Sequence, residues 1–177
     1  MTKPLNELTI VEEWLKKRKF VAIGEIGIDL YWDKTFFKEQ QHAFKTQIQW
    51  ALNYNYPIII HCRDAYEDVL AILKVEYAGL PGVIHSFTDT WDTAKQFLDF
   101  GFHVALNGIL TFDKTGKLAE VVEKPPLDRL LTETDAPYLT PPPFRPDASR
   151  DVAAASRGSP RDGRHAVPAR AHAPADA

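Results

Sequence analysis

Pro57-Ile58-Ile59-Ile60-His61-Cys62-Arg63-Asp64 decides the fold. An unbroken apolar run that starts on a proline and ends on a histidine reads as a short strand buried in a parallel sheet. Working outward, the same design recurs in Ala22-Ile23-Gly24-Glu25-Ile26-Gly27, Gly82-Val83-Ile84-His85 and Leu130-Leu131-Thr132-Glu133-Thr134-Asp135. Each run carries a potential metal ligand, Glu25, His61, His85 or Asp135, at its downstream end. In a parallel α/β sheet the carboxyl ends of the strands share one face, and that face carries the chemistry.

The segments between these runs read as helices. Leu8, Val11, Trp14 and Leu15 make an amphipathic helix of Leu5–Lys19, and Val21–Ile28 follows as a strand. Asp33-Lys34-Thr35 offers helix-start residues to a long helix through Leu52, which Asn53 to Pro57 stops. After the strand Pro57–Cys62, Asp64 with Glu67 resembles a capping box opening a helix over Ala65–Tyr77. The spacing then predicts a strand at Val83–Phe87, a helix at Trp91–Phe100 closed by Gly101, and a strand at His103–Leu110. A helix at Lys117–Glu123 and a strand at Leu127–Glu133 follow. This strict alternation implies a parallel sheet with helical crossovers.

The chain has 177 residues, 45% of them apolar and 25% charged, with one cysteine and a net charge of −3. No disulfide framework is possible, no run approaches the ~20 residues of a membrane span, and no secretory h-region is visible, so the expected compartment is the cytoplasm. From Pro146 to Ala177 there is no Leu, Ile, Phe, Trp, Tyr, Met or Cys. This predicts a domain over residues 1–145 and a disordered Ala/Arg/Pro-rich tail over 146–177, an abrupt change suggestive of a foreign reading frame. Setting aside the five arginines and four aspartates beyond Arg145 leaves 16 basic and 20 acidic side chains, a balance of −4. That excludes the broad basic footprint of a protein gripping long duplex DNA. A nucleic-acid substrate would be held by bound metal and a few local cations.

A lone His61 reads first as a satisfied core histidine, and the repeat at His85 reverses that preference. His85 repeats it one β-α unit later, and adjacent strands about 5 Å apart let two imidazoles reach one ion. Glu25 inside an apolar strand is costly unless paired or metal-bound, though it also reads as a solvated carboxylate. Asp135 before Ala136-Pro137 is either a ligand or a turn residue, and Glu133 on its strand face is a candidate outer partner. Arg63, two residues after His61, suits a phosphate or a salt bridge with Asp64 or Glu67. Asp29 lies either near substrate or in a cap. His103 opens its strand and falls at the opposite sheet end, and Cys62 points away from His61.

Gly24-Glu25-Ile26-Gly27-Ile28-Asp29, Ile60-His61-Cys62-Arg63-Asp64-Ala65, Ile84-His85-Ser86-Phe87-Thr88 and Glu133-Thr134-Asp135-Ala136-Pro137-Tyr138-Leu139 occur in that order. Together, over about Val21 to Arg145, they resemble the TatD family of metal-dependent deoxyribonucleases. The resemblance implies an incomplete TIM-type (β/α)8 barrel, about five of eight strands, with a site for two divalent ions (Mg, Mn or Zn) and DNA as substrate. It implies that Glu25 bridges the ions, that His61 and His85 complete one set, and that Asp135 belongs to the other and orients or deprotonates water. Arg63 would neutralise phosphate charge. The family also uses a His-x-His that this sequence lacks, so weak single-metal binding and little hydrolysis are expected of these residues alone. An amidohydrolase-like enzyme acting on a small ester or amide, and a non-catalytic gene fragment, are the competing readings.

Overall fold

The computed structural model describes residues 4–77, 79–136, 138, 139 and 141. The tail expected to be disordered over 146–177 lies outside the described residues. Five strands, β1 (Ile23–Asp29), β2 (Ile58–Arg63), β3 (Gly82–Ile84), β4 (His103–Leu106) and β5 (Leu130–Thr132), pair side by side in chain order, all parallel. Helices α1 (Pro4–Lys17), α2 (Phe37–Tyr54), α3 (Tyr66–Glu76), α4 (Trp91–Asp99) and α5 (Lys117–Glu123) alternate with them. Parallel neighbours require such crossovers. The sheet is an open arc of a TIM-type barrel, with β1 and β5 its unpaired edges among the described residues.

Strand alternation sorts the two faces. Along β2, Ile58, Ile60 and Cys62 are buried, whereas Ile59, His61 and Arg63 are only partly covered. The buried set packs against Phe44, Ile48 and Ala51 of α2, Val69, Leu70 and Leu73 of α3, and Ala94 and Phe97 of α4. The helix layer thus seals one face, and the other, which faces the inside of the arc, carries the polar residues. Close packing demands glycine at Gly27, where φ is +145° and a Cβ would collide with the His61 carbonyl of the neighbouring strand.

Several element boundaries differ from expectation. β1 runs on to Asp29, so Glu25 is third of seven residues and not at the strand's end. It stands where the β1–β2 register shifts between Ile23 and Ile26, an irregularity that re-aims side chains. The capping box at Asp64 does not form: the N-cap is Ala65, and Asp64 sits at φ +54°, outside the extended region that a side-chain cap needs. α2 begins at Phe37 rather than at Asp33-Lys34-Thr35, where Asp33 instead accepts the Thr35 N–H at 2.7 Å in a local turn. β3 stops at Ile84, and β4 gives way after Leu106 to a 3-10 turn over Gly108–Phe112.

Candidate metal centre

Three strands deliver the site. Glu25 from β1, His61 from β2 and His85 just past the end of β3 converge, their donor atoms all within 4.8 Å of one another. Glu25 Oε2 lies 3.8 Å from His61 Nδ1, and Glu25 Oε1 lies 3.8 Å from His85 Nε2. These separations are too long for hydrogen bonds. Ligand atoms sharing an ion at about 2.1 Å lie up to about 4.2 Å apart, so a small side-chain adjustment brings all three into one coordination sphere.

The other nitrogen of each imidazole is already taken. His61 Nε2 bonds Asp29 Oδ2 at 3.0 Å, and His85 Nδ1 bonds Glu133 Oε2 at 2.7 Å. A carboxylate on the far nitrogen fixes the ring and its tautomer so that the near nitrogen presents a lone pair, as metal-binding histidines require. Asp29 is itself held by Gln40 of α2, whose amide accepts the Asp29 N–H at 2.8 Å and donates to the Asp29 carbonyl at 3.0 Å. Glu133 is held by the Ser86 N–H. Burial alone would lower the His85 pKa. The bond and charge of Glu133, with the charges of Glu25 and Asp135, outweigh it and hold the imidazole above its ordinary value.

Asp135 stands to one side, outside the three-residue cluster, with Oδ1 3.3 Å from His85 Nε2. Its other oxygen is 3.5 Å from both Ser86 Oγ and Asn107 Nδ2. Asn107 is the residue that sequence reasoning missed. It is 93% buried, donates to Ser86 Oγ at 2.8 Å and accepts the Ile109 N–H at 3.0 Å. A signal was present: it follows the apolar run of β4 at the same strand end as the predicted ligands. Arg63 makes no ion pair with Asp64 or Glu67; its guanidinium lies 3.5 Å from the centre of the Tyr31 ring. His103, at the start of β4, is remote from this strand end, and Cys62 faces the helix layer, where burial pushes its thiol up to about 12.

A mixed N/O donor set of two oriented imidazoles and a carboxylate fits a divalent transition metal or Mg²⁺ and does not by itself choose one. The sequence matches the family described as TatD related DNase over residues 3–157. The chain belongs to the TatD-related DNase family. A Bacillus subtilis relative, the uncharacterized metal-dependent hydrolase YabD, is 44% identical over 150 residues, 80% of this chain and 59% of its own length. A Pantoea ananatis protein named 3'-5' ssDNA/RNA exonuclease TatD is 39% identical over 133 residues, covering 74% of this chain and 51% of that one. Among solved structures, the TatD homologue YjjV of Escherichia coli K12 superposes with a TM-score of 0.72 at 32% identity, covering 79% of this chain and 55% of that one. The chain therefore spans about half the length of the TatD-family relatives it matches.

Proposed function

We propose that this chain contributes to divalent-metal-dependent hydrolysis of nucleic-acid phosphodiester bonds, DNA first among them. The observation that carries the reading is the convergence of Glu25, His61 and His85, with Asp29 and Glu133 bonded to the outer nitrogens of the two histidines. Family membership supports the hydrolase class, and the name of the Pantoea relative supports a nucleic-acid substrate.

Glu25, His61 and His85 would hold one ion, and Asp135 with Glu25 would contribute to a second. Bound there, a divalent ion supplies positive charge to phosphate oxygens and lowers the pKa of water. The chain's own groups do the rest. Asp135, kept in place by Ser86 and Asn107, accepts a proton from the attacking water or orients it. Arg63, on the same face of β2 as His61, pairs with the phosphate as charge builds on it. Asp29 positions His61 through one carboxylate oxygen and ties down the following loop through the other, where it accepts the Tyr31 N–H.

The test is metal content and Mn²⁺- or Mg²⁺-dependent cleavage of single-stranded DNA by the full chain and by His61→Ala. Binding of one ion per chain and slow metal-dependent cleavage are expected, both lost in the variant. Cleavage that persists in His61→Ala, or hydrolysis of ester or amide substrates without phosphodiester cleavage, overturns the reading. No helix among the described residues is long and apolar enough to cross a membrane.

A further inference from the structure

Two large aromatic side chains lie exposed beside the metal centre, and the hydrolytic chemistry uses neither. Tyr31 and Trp32 follow β1 directly and are 43% and 52% exposed. Their rings stand perpendicular, with centres 4.6 Å apart. The Arg63 guanidinium lies 3.5 Å from the centre of the Tyr31 ring and 5.9 Å from that of Trp32. We infer that Tyr31, Trp32 and Arg63 form a platform for one unpaired nucleotide, its base stacked on the exposed indole and its phosphate bonded to the guanidinium. The inference rests on the nuclease reading and names the form of its substrate.

The platform is built rather than incidental. Leu30 N–H donates to the Arg63 carbonyl at 2.9 Å, fixing the loop to the end of β2. Tyr31 N–H donates to Asp29 Oδ1 at 2.9 Å, while the other oxygen of Asp29 bonds His61. One carboxylate thus ties the aromatic pair to a metal-site histidine. Stacking on Tyr31 holds the guanidinium plane, and Arg63 makes no ion pair among the described residues, so its N–H groups stay available to an anion.

Charge explains why stacking is needed. The body of the chain is net acidic, so long-range attraction for a polyanion is weak, and local contacts must supply affinity. Aromatic stacking is insensitive to base identity and needs a base free of its duplex partner. The occupant is therefore a single strand or a frayed end.

The experiment measures binding of the full chain, in Ca²⁺, to a short oligothymidylate and to an abasic strand of equal length with the same phosphates. The base-bearing strand is expected to bind about tenfold tighter or more. Trp32→Ala should erase that preference without weakening the abasic strand, and Trp32→Phe should restore most of it. Equal binding of the two strands by the wild-type chain overturns the platform, as does a Trp32→Ala loss that falls equally on both. No binding of either strand overturns it as well. The nuclease reading is judged separately, by Mn²⁺-dependent cleavage and its loss in His61→Ala, so the two fail by different signs.

Discussion

The far nitrogens of the two site histidines govern how firmly the near ones can hold a metal. Glu133 takes Nδ1 of His85 and Asp29 takes Nε2 of His61. Removing such an outer carboxylate while leaving the ligands intact typically costs 10–100-fold in metal affinity. Glu133→Gln is expected to weaken Mn²⁺ or Zn²⁺ binding by about that factor, measured by competition with a chromogenic chelator, with the circular dichroism spectrum unchanged. An unchanged affinity would show that Glu133 does not support the site. Glu133 was legible as a partner because it stands two residues before Asp135 on one strand face. Asn107 was not, since the apolar residues beyond it placed it inside an expected strand over His103–Leu110, whereas that strand ends at Leu106. Cys62 gives a second test at this scale. Burial lifts its thiol from 9.0 to about 12. Between those values the unfolded chain releases a proton that the folded chain retains, so stability is complete below about pH 9 and falls as pH rises toward 12. The slope from this one group is at most about 1.4 kcal/mol per pH unit. Urea unfolding at pH 8 and 10 should show the loss, and Cys62→Ala should shrink it. A loss as large in the variant would assign it to other groups, among them Tyr66 and Tyr77, whose hydroxyls burial also raises.

Elements were easiest to read where one residue type had a single conformational use. Gly101 closes α4 as a left-handed residue at φ +86°, its N–H bonded to the Leu98 carbonyl at 2.8 Å while Phe102 N–H reaches the Phe97 carbonyl at 3.1 Å. This pair of bonds is the Schellman arrangement, which glycine favours. A Cβ there meets nothing within 4 Å, so Gly101→Ala should cost only the backbone conformational term, about 1 kcal/mol by urea denaturation. Gly27→Ala should cost about 3 kcal/mol or more, because conformational strain and collision with the His61 carbonyl add together. A near-equal effect of the two substitutions would contradict the close approach of β1 to β2. Boundaries were misread where tertiary contact overrode local chemistry. Asp64 has the side chain of a helix cap, yet the turn out of β2 takes it to φ +54° and leaves the N-cap to Ala65. The apolar residues beyond Leu106 suggested a longer strand, but Asn107 caps the Gly108–Phe112 turn and swings the chain aside. Gly108 there lies so close to the Leu139 backbone that a Cβ has no room.

At the scale of the whole molecule the sheet has one sealed face and one that gathers charge. The unbroken apolar runs of β1 and β2 foretold buried strands of a parallel sheet, without marking which face packs against the helices. The apolar runs ending in His61 and His85 marked the strand end that carries the site. Less legible was the way Glu25 joins them from the middle of β1, since a register shift between strands leaves no mark on hydrophobic periodicity. Glu25, Asp29, Glu133 and Asp135 gather around the imidazoles of His61 and His85, so a cation bound there would offset the repulsion among the acidic groups. The three side chains that could hold it come from β1, β2 and the end of β3, so an ion there would also fasten three neighbouring strands through side chains, in addition to their backbone ladders. An ion with affinity for the folded chain alone would raise its stability by RT ln(1 + [L]/Kd), about 2.7 kcal/mol at a hundredfold excess over Kd. The expected result is a melting temperature that climbs by several degrees with Mn²⁺ or Zn²⁺ and saturates at one ion per chain. His61→Ala should abolish the climb while leaving metal-free melting nearly unchanged, because His61 lies on the open face and not in the helix-side core. A metal-dependent shift of equal size in His61→Ala would place the stabilising ion elsewhere and remove the reason for treating these three strands as one metal-fastened unit.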